Sequence, residues 1–263
     1  MDNNFRISIN YDIISLIFRI FMFKKLNKQQ KIALITGANS SISKAVAKHL
    51  ANEGYYLILT SKNSSKLAKT EAELKQSTLA LTTIDLNLAD LASVKKFAEK
   101  LKLELPRLNL IVHIAGIYHT SKQRFFNIDL AKYTSSQIIE NYNVTAISLA
   151  IIVKELHTIM PKYSKIITLT GTFESGAQGW LPYYAGKKAL ESLTIGLSQE
   201  LKARKILVNC LSPSDTYTEA YKKFFPEYAL LEKCLSADEI ADEVLHLTSI
   251  NSINGQILEL KKM

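Results

Sequence analysis

Residues 31–54 read Lys-Ile-Ala-Leu-Ile-Thr-Gly-Ala-Asn-Ser-Ser-Ile-Ser-Lys-Ala-Val-Ala-Lys-His-Leu-Ala-Asn-Glu-Gly. Lys31 to Thr36 is a short apolar run that stops at Gly37, the pattern of a strand buried on both faces of a parallel sheet. From Ile42 to Glu53 the apolar residues Ile42, Val46, Ala47 and Leu50 fall at helical spacing, and Gly54 ends the run. The segment is a strand, a tight turn and a helix.

The same alternation continues outward. Buried-strand patterns recur at Tyr55 to Thr60, Leu79 to Ile84, Leu108 to His113, Lys165 to Thr170, Ile206 to Leu211 and Gln256 to Leu260. Helical stretches separate them at Ser65 to Gln76, Leu91 to Leu103, Ser135 to Met160, Tyr184 to Ala203 and Ala237 to Thr248. Strands alternating with helices predict an α/β fold: a three-layer, doubly wound, mostly seven-stranded parallel sheet of Rossmann type, in a single domain over 31–263. The 263 residues, 47% of them hydrophobic, suffice for one such core.

Residues 1–30 form an N-terminal extension with an apolar run, Ile13 to Phe23, interrupted by Arg19 and followed by Lys24 and Lys25. It is shorter than the roughly 20 apolar residues of a membrane span. Its charge mostly follows the apolar part, the reverse of a secretory signal. A peripheral membrane helix, a helix packed on the domain or a partner, and a leader preceding a start at Met22 all stay open. The formal charge of +9 is spread along helices without aromatic interleaving, so nucleic acid is not the expected partner. Cys210 and Cys234 make neither a disulfide framework nor a metal-ligand spacing; a reducing, cytoplasmic setting without a metal is expected.

In an open parallel sheet, ligands bind beyond the carboxyl ends of the strands. The turn Gly37-Ala38-Asn39-Ser40-Ser41-Ile42-Ser43 offers a glycine, small residues and a helix N-terminus, which suit a pyrophosphate. The second strand ends Thr60-Ser61-Lys62-Asn63, where a carboxylate would select NAD and a cation NADP. Lys62 is present and a carboxylate is absent. Further on, Tyr183 and Lys187 stand four apart on one helix face, as do Tyr184 and Lys188. A cation beside a phenol lowers its pKa from about 10 toward the range of an acid/base catalyst.

The ordered set of motifs resembles the short-chain dehydrogenase/reductase family from about Lys31 to Leu260. The family's YxxxK signature resembles Tyr183 to Leu190, which selects Tyr183 and Lys187 as the catalytic pair. Asn143 looks like the family's helix asparagine, which holds a water in a proton relay to the lysine. Asp85, with Leu86 after it, looks like the aspartate that contacts adenine. Ala115-Gly116 resembles the end of the NNAG segment, and Pro213, Ser214, Thr216 and Thr218 lie in a stretch similar to the segment bordering the nicotinamide. With Gly37, Asn39, Ser40, Ser41, Ile42 and Lys62 these would hold the cofactor, with NADP(H) preferred over NAD(H). The family's catalytic serine is replaced by Thr170, or by Thr172 in a shifted alignment; either hydroxyl can donate to a carbonyl oxygen.

The departures are specific. Ser41 and Ser43 stand at the later glycines of TGxxxGxG, adding side chains where a close backbone approach is expected. His113-Ile114 replaces two asparagines, and Ser214 replaces the glycine after Pro213. The resemblance implies reversible reduction of a small carbonyl compound to a secondary alcohol, with Tyr183 as acid/base and, by analogy with the family's commonest bacterial activity, a 3-oxoacyl carrier-protein substrate. Rivals are a degenerate binding scaffold and a membrane-apposed lipid ketone reductase. Substrate choice is expected in the segment 214–235, where Tyr217, Tyr221, Phe224, Phe225 and Tyr228 cluster. By resemblance the chain forms a homodimer or homotetramer.

Overall fold

The computed structural model describes residues 29–75, 80–118, 127–173 and 178–262. The apolar run Ile13 to Phe23 and the predicted strand start at Leu79 lie outside them. Seven parallel strands form one sheet in the order β3-β2-β1-β4-β5-β6-β7. They are β1 (Ile32–Thr36), β2 (Tyr56–Ser61), β3 (Leu81–Asp85), β4 (Leu110–His113), β5 (Lys165–Leu169), β6 (Leu207–Pro213) and β7 (Ile257–Leu260). Chain order reverses between β1 and β4, which opens the crevice beyond their carboxyl ends.

Helices cover both faces, as a parallel sheet requires. On one side Ile32, Leu34 and Ile111 pack against α3 (Leu91–Glu104), α5 (Ser148–Leu156) and α6 (Leu181–Glu200). On the other, Ala33, Ile35 and Val112 pack against α1 (Ser41–Asn52), α2 (Ser64–Lys75) and α8 (Ala237–Ser249). Successive residues of β1 therefore feed two separate cores. That is why its sequence is apolar at every position from Ile32 to Ile35 rather than at alternate ones.

The stretch Ser135 to Met160, read as one helix, is broken. It comprises α4 (Ser135–Tyr142), a π turn over Asn143–Ile147, α5, and a final turn at His157–Ile159. The Ser148 N–H bonds the Asn143 carbonyl, one residue further back than in an α-helix. Hydrophobic periodicity does not register one extra residue in a turn, so the sequence reads straight through it. The segment 214–235 carries a short helix, α7 (Glu219–Phe224). Its ends are tied by Leu235 N to Asp215 O at 2.9 Å and Tyr217 N to Leu235 O at 2.8 Å.

Candidate active site at the sheet switch point

The turn after β1 is closed by its own serines. Ser40 caps α1, accepting from the Ser43 N–H at 3.0 Å. Ser43 Oγ in turn accepts from the Ser40 N–H at 3.0 Å and lies 2.9 Å from the Gly37 carbonyl. Ser43 is fully buried, so its side chain faces into the turn and not toward a ligand. The expected intrusion at this position does not occur: the hydroxyl fills the space with hydrogen bonds. Ser41 is half-buried, and its Oγ accepts from the Glu219 N–H at 3.4 Å, joining the turn to the segment after β6.

Gly37 has φ +72°, and a Cβ there would stand 2.9 Å from the Ala115 backbone. Only glycine fits this approach of the turn to the end of β4. Asn39 Nδ2 donates to Ser61 Oγ and to the Asn63 carbonyl, while its buried Oδ1 has no partner among the described residues. The N–H groups of Ser41 and Ile42, unlike that of Ser43, make no hydrogen bond among the described residues. An orphaned polar atom, free helix-terminal donors and a cradle without room for a Cβ fit a dinucleotide phosphate group.

Lys62 is exposed at the end of β2 and pairs with Glu140 of α4 at 3.3 Å. Asp85 is exposed at the end of β3, and the buried Leu86 donates its N–H to the Ser61 carbonyl at 2.9 Å. On the other flank, Ser214 N bonds Leu260 O at 2.8 Å, Thr216 Oγ1 donates to Ser214 O at 3.0 Å, and Thr218 caps α7. The Pro213 carbonyl accepts from Thr172 N at 3.0 Å. All these residues line strand ends on the same edge of the sheet.

Tyr183 and Lys187 share the first turns of α6, whose second residue is Pro182. The Lys187 ammonium lies 5.6 Å from the Tyr183 ring centre and donates to the Leu169 carbonyl at 2.8 Å. A Cβ on Gly116 would come within 3.1 Å of that ammonium, so the end of β4 abuts the pair. The protonation of Tyr183 runs opposite to the expectation from spacing. Burial raises the phenol above its ordinary value, and burial also lowers Lys187 to about 8. The lysine's charge is turned to the Leu169 carbonyl, so desolvation dominates over its attraction for a phenolate.

Asn143 opens the π turn and donates from Nδ2 to the Ala89 carbonyl at 3.2 Å, tying it to the loop after β3. His113 is fully buried: Nδ1 lies 2.9 Å from Thr36 Oγ1 and Nε2 lies 3.0 Å from the Thr145 carbonyl. A carbonyl only accepts, so Nε2 carries the proton and Thr36 donates to Nδ1. Burial and the nearby Lys187 charge lower His113 to about 4, which keeps it neutral. It stitches β1 and β4 to the π turn instead of lining a pocket. Thr170 is buried, with Oγ1 at 3.1 Å from Cys210 Sγ, and Thr172 is half-buried beyond it. In this segment the residue whose ring meets Tyr183 is Phe173, at 5.9 Å.

Sequence reasoning missed three rings around Tyr183. Besides Phe173 these are Tyr118, two residues past Gly116, and Trp180, three before Tyr183. Their signal was position: each follows a strand or precedes the helix that carries Tyr183. Of the aromatics expected in 214–235, Phe225 joins Tyr118 and Trp180, Tyr221 backs Phe225, and Tyr228 is exposed.

This arrangement of strand ends, tyrosine and lysine agrees with a family match. The family model of short chain dehydrogenases covers residues 31–229. The chain belongs to the short-chain dehydrogenase/reductase family. The chain is therefore an oxidoreductase by family. It is 26% identical over 250 residues to the 3-oxoacyl-[acyl-carrier-protein] reductase of Aquifex aeolicus, covering 90% of this chain and 98% of that protein. It is 28% identical over 240 residues to the 2-dehydro-3-deoxy-D-gluconate 5-dehydrogenase of Bacillus subtilis, covering 87% and 92%. Among solved structures it resembles a short chain dehydrogenase from Burkholderia cenocepacia in complex with NADP, with a TM-score of 0.77, 23% identity and coverage of 90% and 98%. Among the described residues this short-chain dehydrogenase has no helix long and apolar enough to cross a membrane and no cluster of potential metal ligands.

Proposed function

We propose that the protein interconverts a small carbonyl compound and its secondary alcohol with NADP(H). The observation that carries this is the meeting of Tyr183, Lys187 and Gly116 beside the Gly37 turn at the sheet's switch point. When bound, the nicotinamide supplies or accepts the hydride. The turn Gly37 to Ile42 with Asn39 would hold the pyrophosphate side. Ala115, Gly116, Pro213, Ser214, Thr216 and Thr218 would border the nicotinamide, and Asp85 with Leu86 the adenine.

In the reductive direction Tyr183 donates its phenolic proton to the carbonyl oxygen. Its place on α6 beside Lys187 supports this role, since the neutral phenol carries the proton to be given. Thr170, or Thr172 two residues on, polarises that oxygen. Lys187 would hold the nicotinamide ribose, and Asn143 at the π turn would connect the lysine to solvent. The aliphatic 3-oxoacyl thioesters implied by the Aquifex relative, and sugar acids like that of the Bacillus relative, are both carbonyl or alcohol substrates. Their shared chemistry is what the catalytic pair serves.

Lys62, together with the missing carboxylate at the end of β2, supports the preference for NADP(H). Fluorescence titration with NADPH and NADH is the test. Tighter binding of NADPH, lost on Lys62→Ala by about tenfold as one phosphate contact goes, is expected. A well-folded protein that binds neither nucleotide overturns the reading.

A further inference from the structure

The amino ends of the strands, opposite the Tyr183 site, carry a row of cations. Strands β1, β4, β5 and β6 are parallel neighbours, so the residues that enter them share one edge of the sheet. Lys31 precedes β1, Arg107 precedes β4, Lys162 and Lys165 precede and open β5, and Arg204 with Lys205 precede β6. Hydrogen bonds fix this edge. Arg107 Nε donates to Gln30 O at 3.2 Å, Arg204 Nη2 to Thr158 O at 3.3 Å, and Tyr163 N to Lys205 O at 2.7 Å. Lys165 is buried, and its burial, then the Lys31 charge, lower its ammonium to about 8. The cations here are close enough to act on one another.

The two edges of the sheet handle their lysines differently. At the carboxyl edge Lys62, Lys222 and Lys262 pair with Glu140, Glu219 and Glu239. At the amino edge Lys31, Lys162, Lys202, Lys205 and Lys102, the last in the final turn of α3, are exposed and make no ion pair among the described residues. Carboxylates are fewer at this edge: Glu53 and Glu200, with Glu104 and Glu155 held by Lys100 and Lys154. Tyr163 and Lys205 both adopt left-handed backbone, at φ 68° and 56°, and the Lys205 ammonium lies over the Tyr163 ring at 5.8 Å. Beside them opens a hollow of about 320 Å³, lined in part by Tyr163, Lys202, Lys205, Asn251 and Asn254, with room for a phosphate-bearing headgroup. Leu103, 88% exposed, and Tyr163, 50% exposed, add apolar surface among the cations.

Cations without ion-pair partners and exposed apolar tips on one face match anionic headgroups above a hydrocarbon layer. The chain itself favours that partner over nucleic acid. Its apolar run Ile13 to Phe23 ends seven residues before Gln30, whose carbonyl Arg107 holds at this edge. A chain of that length reaches at most about 24 Å, so the run cannot lie far from the row. Lys24, Lys25 and Lys28 stand between the two. An apolar run too short to span and a basic face are two signals whose combination gives stable attachment to a bilayer, where one alone holds weakly. We propose that the amino edge of the sheet, with Lys31, Lys102, Lys162, Lys202 and Lys205, is a docking face for a bilayer rich in anionic phospholipid. The Tyr183 site then points away from the bilayer, and its substrate comes from water and not from within the lipid.

The test is co-sedimentation of the full chain with vesicles of phosphatidylcholine, alone or with about a third phosphatidylserine, in about 0.1 M salt. Binding to the anionic vesicles is expected to be at least about tenfold tighter than to the neutral ones, and to weaken in about 0.5 M salt. Lys162→Glu with Lys202→Glu should lower it by about thirtyfold or more, and the milder Lys202→Gln with Lys205→Gln by about tenfold. Lys222→Glu with Lys223→Glu, at the other edge, should change it by less than about threefold. Ile17→Ser with Phe18→Ser should remove the binding that survives high salt. Trp180, the chain's one tryptophan, lies beside Tyr183, so brominated anionic lipid should leave its fluorescence unquenched in the bound protein. Quenching overturns the orientation. Equal binding to both vesicles, a loss as large in the Lys222 and Lys223 variant, or no vesicle binding by protein that still binds NADPH overturns the docking face. Capture of duplex DNA in place of vesicles, or self-association that the Lys162 and Lys202 variant loses, overturns it too and assigns the face to nucleic acid or to a second copy.

Discussion

The turn after β1 and the start of α6 both carry family motifs, yet they depart from expectation in opposite ways. The turn has the wrong residues and keeps the expected shape. Ser43 stands where the family has glycine, and its hydroxyl bonds within the turn to Gly37 and Ser40. The start of α6 has the expected residues, Tyr183 and Lys187, but not the expected electrostatics. Burial raises the phenol that spacing alone would lower. A local substitution can be absorbed by local hydrogen bonds, whereas the ionisation of a side chain answers to everything packed around it.

The sharpest test of this contrast is Tyr183→Phe, which removes one hydroxyl and leaves the ring contacts. Turnover should fall by about 10²- to 10⁴-fold, the range of general acid catalysis, with NADPH affinity unchanged within about threefold. Steady-state kinetics beside a nucleotide titration would expose the alternative, an equal loss in both. In the turn, Gly37→Ala forces a side chain into φ +72° and against the Ala115 backbone. Urea unfolding should register a loss of about 2–4 kcal/mol. A variant as stable as the parent would mean that the turn is not tied to β4 as described.

His113 links the two regions, since it joins Thr36 at the foot of the turn to the π turn behind α6. Its folded-state value of about 4 lies below the ordinary 6.5, so folding excludes a proton that the unfolded chain takes up. The resulting stabilisation is complete above about pH 6.5 and is lost as pH falls toward 4, amounting to about 3 kcal/mol over that window. Unfolding free energies measured across this range should flatten in His113→Asn. An unchanged slope would place the titration elsewhere.

The smallest expected effect is at Ser43. Ser43→Ala removes the hydroxyl's bonds to the Gly37 carbonyl and the Ser40 N–H, leaving these two only their mutual 3.4 Å bond, and should cost about 1–2 kcal/mol of stability. NADPH affinity should move by less than about threefold, because the side chain faces inward. A large loss of affinity with stability intact would reverse the comparison and make Ser43 a ligand-facing residue.

Much of the molecule is legible in the chain itself. Apolar runs of strand length, buried on both faces in the central strands β1, β2, β4, β5 and β6, determine a parallel sheet, and the i, i+4 spacing of Tyr183 and Lys187 puts them on one helix face. Gly37 marks a turn where a positive φ is required. These are properties of short segments, set by steric and solvation rules that act within a few residues. The π turn at Asn143, the ring wall from Tyr118, Phe173, Trp180 and Phe225, the inward set of Ser43 and the neutral His113 were decided only by the tertiary structure. Each depends on which groups from remote segments displace water around a side chain, and no local pattern encodes that displacement.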